Sequence, residues 1–334
     1  MTIAFTHRQS AHCESGVTAN LISHYGYSMS EAMVFGIGGG LFFGYFPFIK
    51  INHLPLITFR GAPGSIFKKC AERLEVQVSC RQFRNSQRGM MALDANVAAG
   101  IPTGVQTGVY WLPYFPAALR FHFNAHNLIV YGRTGDEYLI SDPVIDKPVR
   151  CAKADLERAR YAKGALAPKG RMYSIAQMPE EIPLATAIRK GIAEVATRMV
   201  KVPIPLIGVR GMQLLARHMQ HWPEKLGDKQ SLIHLGHLIR MQEEIGTGGG
   251  GFRFIYAAFL QEAAAVLEQP RLEILAQEMT TTGDMWRRFA LLGARRCKGH
   301  NSADNTFPAL AALLRACSIR EEKLFCELLS VVKK

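Results

Sequence analysis

The spacing of apolar residues changes once along this chain of 334 residues, and that change constrains the fold more than any other feature. Up to about residue 165, short apolar runs alternate with turn residues. The runs at 76–80, 104–111 and 128–131 are rich in β-branched and aromatic side chains, which favour strands. After residue 183, apolar residues recur every three or four positions, which predicts helices. The chain is therefore expected to form two domains.

We predict an α+β domain over residues 1–165, with a helix near its N-terminus that precedes most of an antiparallel sheet. Residues 166–183 are rich in proline and are interpreted as a linker. Residues 184–334 are predicted to form an all-helical domain of about six helices. These helices are expected at residues 184–200, 208–221, 230–245, 252–267, 271–292 and 306–331.

Composition indicates a globular protein with a preference for acidic partners. Lysine and arginine number 40 against 27 aspartates and glutamates, a net charge of +13. The seven cysteines are scattered and form no C-x-x-C pair, so we expect a reducing, cytoplasmic location without disulfides. The first residues lack the apolar core of a signal peptide. The charge-free stretch 32–49 is glycine-rich, and we interpret it as a buried strand–turn–strand or a helix start rather than a membrane span.

Cys13 is the candidate nucleophile. The apolar spacing from Val17 onward predicts a helix that begins at or just after Cys13. The positive end of a helix favours the thiolate, which is the reactive form of cysteine. Gln9, four residues earlier, is the candidate donor to an oxyanion beside the Cys13 backbone N–H, with an exposed loop amide as the alternative.

A predicted β-hairpin supplies a base and an acid. Residues 121–132 and 136–143 form its strands, and the three-residue loop between them ends in Gly135, which suits a left-handed backbone. Pairing the two residues that flank the loop places His126 opposite Asp142. Side chains in such a pair have Cβ atoms roughly 4.5–5.5 Å apart, which allows a carboxylate to hold an imidazole.

The same register also pairs His122 with Asp146, and these two residues are the alternative base and acid. That pairing needs a longer strand, which Pro143 and Pro148 disfavour. We therefore prefer His126 and Asp142. Together with Cys13 they provide the nucleophile, base and orienting acid needed for acyl transfer through a thioester.

The order of cysteine helix, histidine strand and Asp-Pro resembles that of papain-like cysteine enzymes, among them the double-glycine leader peptidases of bacteriocin exporters. A closer resemblance is to the N-terminal domain of the butirosin-biosynthesis H protein family. It rests on His12-Cys13-Glu14-Ser15, on residues 30–38 and on Ala125-His126-Asn127-Leu128-Ile129-Val130-Tyr131-Gly132. The resemblance covers roughly residues 12–150, and the helical half resembles the uncharacterised domain that often accompanies this one.

The resemblance implies an acyltransferase of secondary metabolism in which Cys13 is acylated, His126 acts as base and then acid, and Asp142 orients His126. The implied donor is an acyl carrier protein with a phosphopantetheine thioester, or another acyl thioester. The implied acceptor is a small-molecule amine or hydroxyl. We expect no bound cofactor, no metal, no nucleic acid and no membrane as partner, and the sequence leaves homo-oligomerisation open.

A glycine run in the second half adds a candidate substrate-binding site. Gly249, Gly250 and Arg253 lie where residues 246–253 lead into a predicted helix, and a helix N-terminus beside an arginine can hold a phosphate or carboxylate. A flexible loop between helices is the alternative. The sequence leaves open two alternatives to acyl transfer, a cysteine hydrolase with the same three residues and a non-catalytic binding protein.

Overall fold

The computed structural model describes residues 2–51 and 53–332. The helices, in chain order, are α1 (Cys13–His24), α2 (Glu31–Ile37), α3 (Ser65–Arg73), α4 (Ser86–Ala98), α5 (Lys153–Arg160), α6 (Leu184–Val200), α7 (Gly208–Gln220), α8 (Trp222–Leu226), α9 (Asp228–Glu243), α10 (Arg253–Val266), α11 (Pro270–Cys297) and α12 (Phe307–Val332). The strands are β1 (Leu41–Ile51), β2 (Leu54–Arg60), β3 (Gln77–Arg81), β4 (Thr103–Thr107), β5 (His126–Thr134), β6 (Glu137–Ser141), β7 (Val149–Ala152) and β8 (Met172–Gln177).

The chain divides into two compact units. The first unit comprises Met1–Val34 and Ile66–Pro183, and the second comprises Phe35–Ser65 and Leu184–Lys334. This division differs from the predicted domain limits in two places. The hairpin of β1 and β2 belongs with the helices, and the predicted linker 166–183 contains β8, which is part of the sheet of the first unit.

The first unit is built on a six-stranded antiparallel sheet with the strand order β3-β8-β4-β5-β6-β7. Every residue of β4 is buried, as expected for a strand in the middle of a sheet. One face of the sheet packs against α4 and α5 in an apolar core. This core includes Met90, Leu93, Val105, Leu128, Val130, Tyr138, Ile140 and Leu156.

The predicted fold class is confirmed, since an N-terminal helix and an antiparallel sheet are followed by helices. The six helices predicted in the second half are present with nearly the predicted limits. Two helices of the first half, α4 and α5, were not predicted. Two features of the sequence indicate α4. Met90, Leu93 and Val97 have the apolar spacing of a helix, and Asn85 is a suitable N-cap residue. In the structure, the Asn85 side chain accepts the Arg88 N–H at 2.9 Å.

The β5–β6 hairpin has a different register from the predicted one. Its loop contains two residues, Gly135 and Asp136, rather than three, and Thr134 pairs with Glu137. Gly135 adopts the left-handed conformation, with φ of 58°. An irregularity between Val130 and Gly132 shifts the remaining pairs by one residue, so that the ladder ends at the pair of Ile129 and Ser141.

The start of α1 is fixed by polar side chains. His12 is the N-cap residue, and its Nδ1 accepts the Ser15 N–H at 3.3 Å. The Glu31 carboxylate accepts the N–H groups of Ala11 and His12 at 3.0 and 2.6 Å. The Glu14 carboxylate accepts the N–H groups of Ile66 and Phe67, at 2.9 and 3.1 Å, and so caps α3.

Close packing at Gly16 brings α1 against the segment that follows β6. A Cβ atom at this position would lie 2.6 Å from Ser10 Cβ and 2.7 Å from Pro143 Cβ, shorter than real side chains allow. The Ser10 N–H donates to the Pro143 carbonyl at 2.7 Å, which ties the same segments together. Only glycine therefore permits the approach of α1 to the residues around Asp142.

The second unit contains the β1–β2 hairpin together with α6–α12. The charge-free stretch 32–49 forms most of α2, a turn and the first part of β1, so a helix occupies the place of the first strand in the strand–turn–strand interpretation. Residues 32–45 are largely buried, whereas Phe48 and Ile49 are exposed. Among residues 2–51 and 53–332, no helix has the length and apolar character that crossing a membrane requires.

We expect Gly16→Ala to lower the free energy of unfolding by about 1–3 kcal/mol, the usual cost of forcing extra volume into a packed interior. Gly236→Ala is the matched control, because Gly236 lies in α9 and the nearest atom to an added Cβ is Cys297 Sγ at 3.9 Å. That change should be neutral or stabilising by up to about 1 kcal/mol. Urea unfolding of both variants checks the prediction, and equal effects would contradict it.

Candidate active site

Cys13 is the first residue of α1 and is 7% exposed. Its backbone N–H therefore belongs to the positive end of the helix, as the sequence predicts. A buried thiol is ordinarily hard to ionise, so its reactivity depends on the groups around the sulfur.

His126 and Asp142 form the pair that the sequence predicts. His126 is the first residue of β5, and Asp142 directly follows the last residue of β6. His126 Nε2 donates to Asp142 Oδ2 at 2.7 Å, and both side chains are buried. Asp142 contacts the His126 ring from just beyond the last pair of the β5–β6 ladder. The contact therefore forms even though the register differs from the predicted one.

Asp142 accepts hydrogen bonds from two further groups. The Tyr114 hydroxyl donates to Oδ2 at 2.8 Å, and the Val144 N–H donates to Oδ1 at 3.2 Å. Burial, followed by the charge of Asp142, raises the pKa of Tyr114 well above its usual value, so this hydroxyl keeps its proton. The carboxylate is 0% exposed and needs such donors, because a buried charge without them is costly.

His126 also makes a hydrogen bond with the Cys13 side chain. Because Nε2 is bound to Asp142, the remaining ring nitrogen, Nδ1, is the atom that makes the hydrogen bond with Cys13. Burial alone would lower the pKa of His126. The charge of Asp142, the hydrogen bond to it, and the hydrogen bond and charge of Cys13 together outweigh burial and raise this pKa from 6.5 to about 10. The arrangement thus favours an imidazolium beside a thiolate.

The raised pKa of His126 has a consequence for stability. A group whose pKa is higher in the folded state stabilises that state fully below its unfolded pKa, here about 6.5. This contribution is lost as the pH rises through about 10. Protonated His126 therefore supports the fold at neutral pH.

Other cysteines lie in surroundings that suppress ionisation. Burial raises the pKa of Cys70, Cys151 and Cys317 to about 12. Burial also raises the pKa of Cys80, although this residue is exposed overall. Since none of these pKa shifts involves a histidine, Cys13 differs from them in having an imidazolium as its partner.

Asn127 lies at the sulfur and Tyr173 contacts Asn127, although no role was predicted for either residue from the sequence. Asn127 Nδ2 donates toward Cys13 Sγ at 3.9 Å, and the Tyr173 hydroxyl donates to Asn127 Oδ1 at 3.0 Å. No nearby sequence pattern indicates the contact of Tyr173 with Asn127, because Tyr173 lies 46 residues away in a segment predicted to be a linker. Phe115 packs the edge of its ring against His126, with centroids 5.5 Å apart.

Gln9 is exposed, four residues before the buried Cys13. The alternative pair is not brought together in a buried site. His122 is exposed and stacks on Tyr110 with centroids 4.2 Å apart, and Asp146 is also exposed. Within the described part of the chain, no group of three or more His, Cys, Asp or Glu side chains is placed to hold a metal ion.

The structure corrects the substrate-binding role predicted for Arg253. Its guanidinium is 0% exposed and forms a fork with Glu321, through Nε to Oε1 at 2.9 Å and Nη2 to Oε2 at 2.8 Å. The remaining nitrogen, Nη1, donates to the Gly251 carbonyl at 2.8 Å. The guanidinium is therefore committed to the interior of the second unit and is not presented to a ligand.

The predicted binding glycines, Gly249 and Gly250, are buried and have φ of 86° and 57°. The Gly250 N–H donates to Glu243 Oε1 at 3.1 Å, and the Gly249 N–H donates to Thr247 Oγ1 at 3.1 Å. The glycines serve a left-handed turn before α10, since other residues rarely adopt these angles.

Two family models match the chain. Residues 12–143 match the family described as Butirosin biosynthesis protein H, N-terminal, and residues 154–328 match Domain of unknown function (DUF4872). The predicted resemblance is thereby confirmed. Among solved structures, a Bacillus anthracis protein described as a C39-like peptidase is 14% identical, with a TM-score of 0.37 over 54% of this chain and 98% of that chain. No curated protein matches the chain.

We expect the rate of Cys13 alkylation by iodoacetamide to be nearly constant between about pH 7 and about pH 9, because His126 stays protonated to about pH 10. In His126→Gln, the rate should rise about 25-fold between pH 7 and pH 9, as for an ordinary thiol with a pKa of about 8.5. Peptide mapping by mass spectrometry separates Cys13 from the exposed Cys80 and Cys326, which provide internal references. Superimposable profiles for the two proteins would contradict the prediction.

We expect Tyr114→Phe to lower the free energy of unfolding by about 1–3 kcal/mol, because the buried Asp142 carboxylate loses a donor. Tyr27→Phe removes the hydroxyl of an exposed side chain and should change stability by less than about 0.5 kcal/mol. Urea unfolding at neutral pH compares the two variants. A Tyr114→Phe protein as stable as the control would show that this hydrogen bond is dispensable.

Proposed function

Because the chain belongs to the Domain of unknown function (DUF4872) family and carries a butirosin biosynthesis protein H N-terminal domain before it, we propose that it is a cysteine-dependent acyltransferase. In this proposal, an acyl or aminoacyl group moves from a thioester to Cys13, and from Cys13 to an amine or hydroxyl. The donor is the phosphopantetheine thioester of a carrier protein or a similar acyl thioester.

The observation that carries the proposal is the continuous contact from Cys13 through His126 to Asp142. His126 contacts the thiol on one side and Asp142 on the other, with the Nε2–Oδ2 distance of 2.7 Å. This contact supports the proposal, because a papain-like cysteine enzyme needs a nucleophile, a base and an orienting acid in one site. A chain that only bound a ligand on this fold would have no need of all three groups in this geometry.

In the first step, Cys13 Sγ attacks the carbonyl carbon of the donor thioester, and the carbonyl electron pair moves to oxygen. Collapse of this intermediate breaks the bond between the carbonyl carbon and the donor sulfur. The departing thiolate takes the proton of His126 and leaves as a thiol. The enzyme is then acylated on Cys13, and His126 is neutral.

In the second step, the acceptor amine attacks the acyl carbon and gives a proton to His126. The bond from Cys13 Sγ to the acyl carbon breaks, which restores the thiolate and the imidazolium. Asp142 holds Nε2 throughout and so keeps Nδ1 of His126 directed at the reacting atoms.

The burial of the site and the charge of the chain suit a carrier-bound donor. Cys13 is 7% exposed and His126 is 4% exposed. A buried sulfur suits a donor whose acyl group is carried on a long, narrow arm, and the net charge of +13 suits an acidic carrier.

Intact-protein mass spectrometry after brief incubation with carrier-bound acyl thioesters tests the proposal. We expect a mass gain of one acyl group that maps to Cys13 and is absent from Cys13→Ala. Cys80→Ser is the matched control, because Cys80 is exposed and should leave the gain unchanged.

Addition of a panel of amines should then discharge the acylated protein with formation of an amide. Discharge at the same rate with and without amines, with free acid as the product, would indicate a hydrolase. If the wild type reacted with no thioester, transfer from a thioester would be excluded.

A further inference from the structure

The side-chain amide of Asn127 is held in one orientation at the candidate nucleophile. One of its Nδ2 hydrogens donates to the Ala125 carbonyl at 3.1 Å, and Nδ2 lies 3.9 Å from Cys13 Sγ. Its Oδ1 accepts from the Tyr173 hydroxyl at 3.0 Å. Asn127 is buried, so a reversed amide would place an oxygen against both the Ala125 carbonyl and the sulfur.

The Tyr173 hydroxyl is the donor in this contact, because the atom that faces it, Asn127 Oδ1, can only accept. Burial, followed by the charges of Glu14 and Cys13, raises the pKa of Tyr173 well above its usual value. The hydroxyl therefore keeps its proton and donates a hydrogen bond to Asn127 Oδ1. This bond draws electron density toward Oδ1 and strengthens the Nδ2–H groups as donors.

The backbone is shaped to admit the Tyr173 ring. Gly104 pairs with Tyr173 across β4 and β8, and a Cβ atom on Gly104 would lie 2.4 Å from Tyr173 Cε2. The ring also contacts Phe67, with centroids 4.4 Å apart. Tyr173 is thus fixed by its neighbours in the position from which its hydroxyl meets Asn127.

We propose that Asn127 Nδ2 donates a hydrogen bond to the oxyanion that forms when Cys13 attacks an acyl group, and that Tyr173 positions this amide. The inference rests on the proposed acyl chemistry of Cys13. It assigns to Asn127 the role that the sequence analysis gave to Gln9, whose side chain is exposed.

The distances suit this role. In a tetrahedral intermediate the oxyanion is bonded to the carbon that is attached to Sγ. It can therefore lie on the side of the sulfur that faces Nδ2, and so closer to Nδ2 than the sulfur is. A nitrogen 3.9 Å from Sγ can therefore contact that oxygen while remaining only a weak partner of the thiolate itself. The amide would therefore donate a stronger hydrogen bond to the oxyanion of the transition state than to the sulfur of the resting enzyme. Such a difference is the requirement for catalysis.

Two reactions of the same sulfur distinguish this role from a structural one. Acylation of Cys13 by p-nitrophenyl acetate passes through an oxyanion, whereas alkylation by iodoacetamide does not. We expect Asn127→Ala to lower the acylation rate by about 100- to 1000-fold, the usual effect of losing one oxyanion donor. The alkylation rate should change by less than about threefold.

Tyr173→Phe should lower acylation by a smaller factor and leave alkylation unchanged, since the amide remains but is less well held. Gln87→Ala is the control, because it alters an exposed amide of α4 to which no role in the site is assigned, and both of its rates should equal those of the wild type. An unchanged alkylation rate also shows that each variant is folded around Cys13.

Equal losses in both reactions for Asn127→Ala would overturn the proposal, because they indicate an effect on the thiolate or the fold. Unchanged acylation, or a wild type that alkylates but accepts no acetyl group at Cys13, would also overturn it. Failure of the proposed function is distinguishable, since it would appear as acetylation by the ester without any transfer from carrier thioesters.

Discussion

The buried carboxylate of Asp142 is the group on which the arrangement of the first unit depends. Removing such a charge from water costs several kcal/mol, and here the cost is offset by His126, Tyr114 and the Val144 N–H. These donors come from β5, from the loop that precedes it and from the turn after β6. The charge is therefore stable only when all three segments are in place. It also keeps His126 protonated, so the same ion links folding to the state of Cys13.

The sequence predicted the base and the acid although it gave the wrong register for the hairpin. The loop is one residue shorter than expected, and an irregularity after Val130 shifts the ladder again. The prediction of the pair survived because β6 ends at Ser141, which leaves Asp142 outside the ladder. A carboxylate just beyond the end of a strand can turn toward the neighbouring strand, so the pairing of His126 with Asp142 tolerates a change in register that a pair inside the ladder would not.

Side-chain contacts between residues that are distant in the sequence could not be predicted. Tyr114 meets Asp142 across 28 residues, and Arg253 meets Glu321 across 68 residues. No local pattern encodes such contacts. Arg253 beside a glycine run has the composition of an anion site, but burial of its guanidinium against Glu321 decides its role. By contrast, the helices of the second unit depend on apolar spacing within each segment, and their limits could be predicted to within a few residues.

Consecutive residues of β5 would divide the chemistry between them, because Cys13 contacts the side chains of both His126 and Asn127. In the proposed mechanism, His126 carries the charge and moves the proton, whereas Asn127 is neutral. Neutrality matters, because a lysine or arginine in its place would stabilise the thiolate in the resting enzyme, and a more stable thiolate is a weaker nucleophile. A neutral amide interacts weakly with sulfur at 3.9 Å and more strongly with a developing oxyanion. Its stabilisation is thus concentrated where it increases the rate, at the transition state.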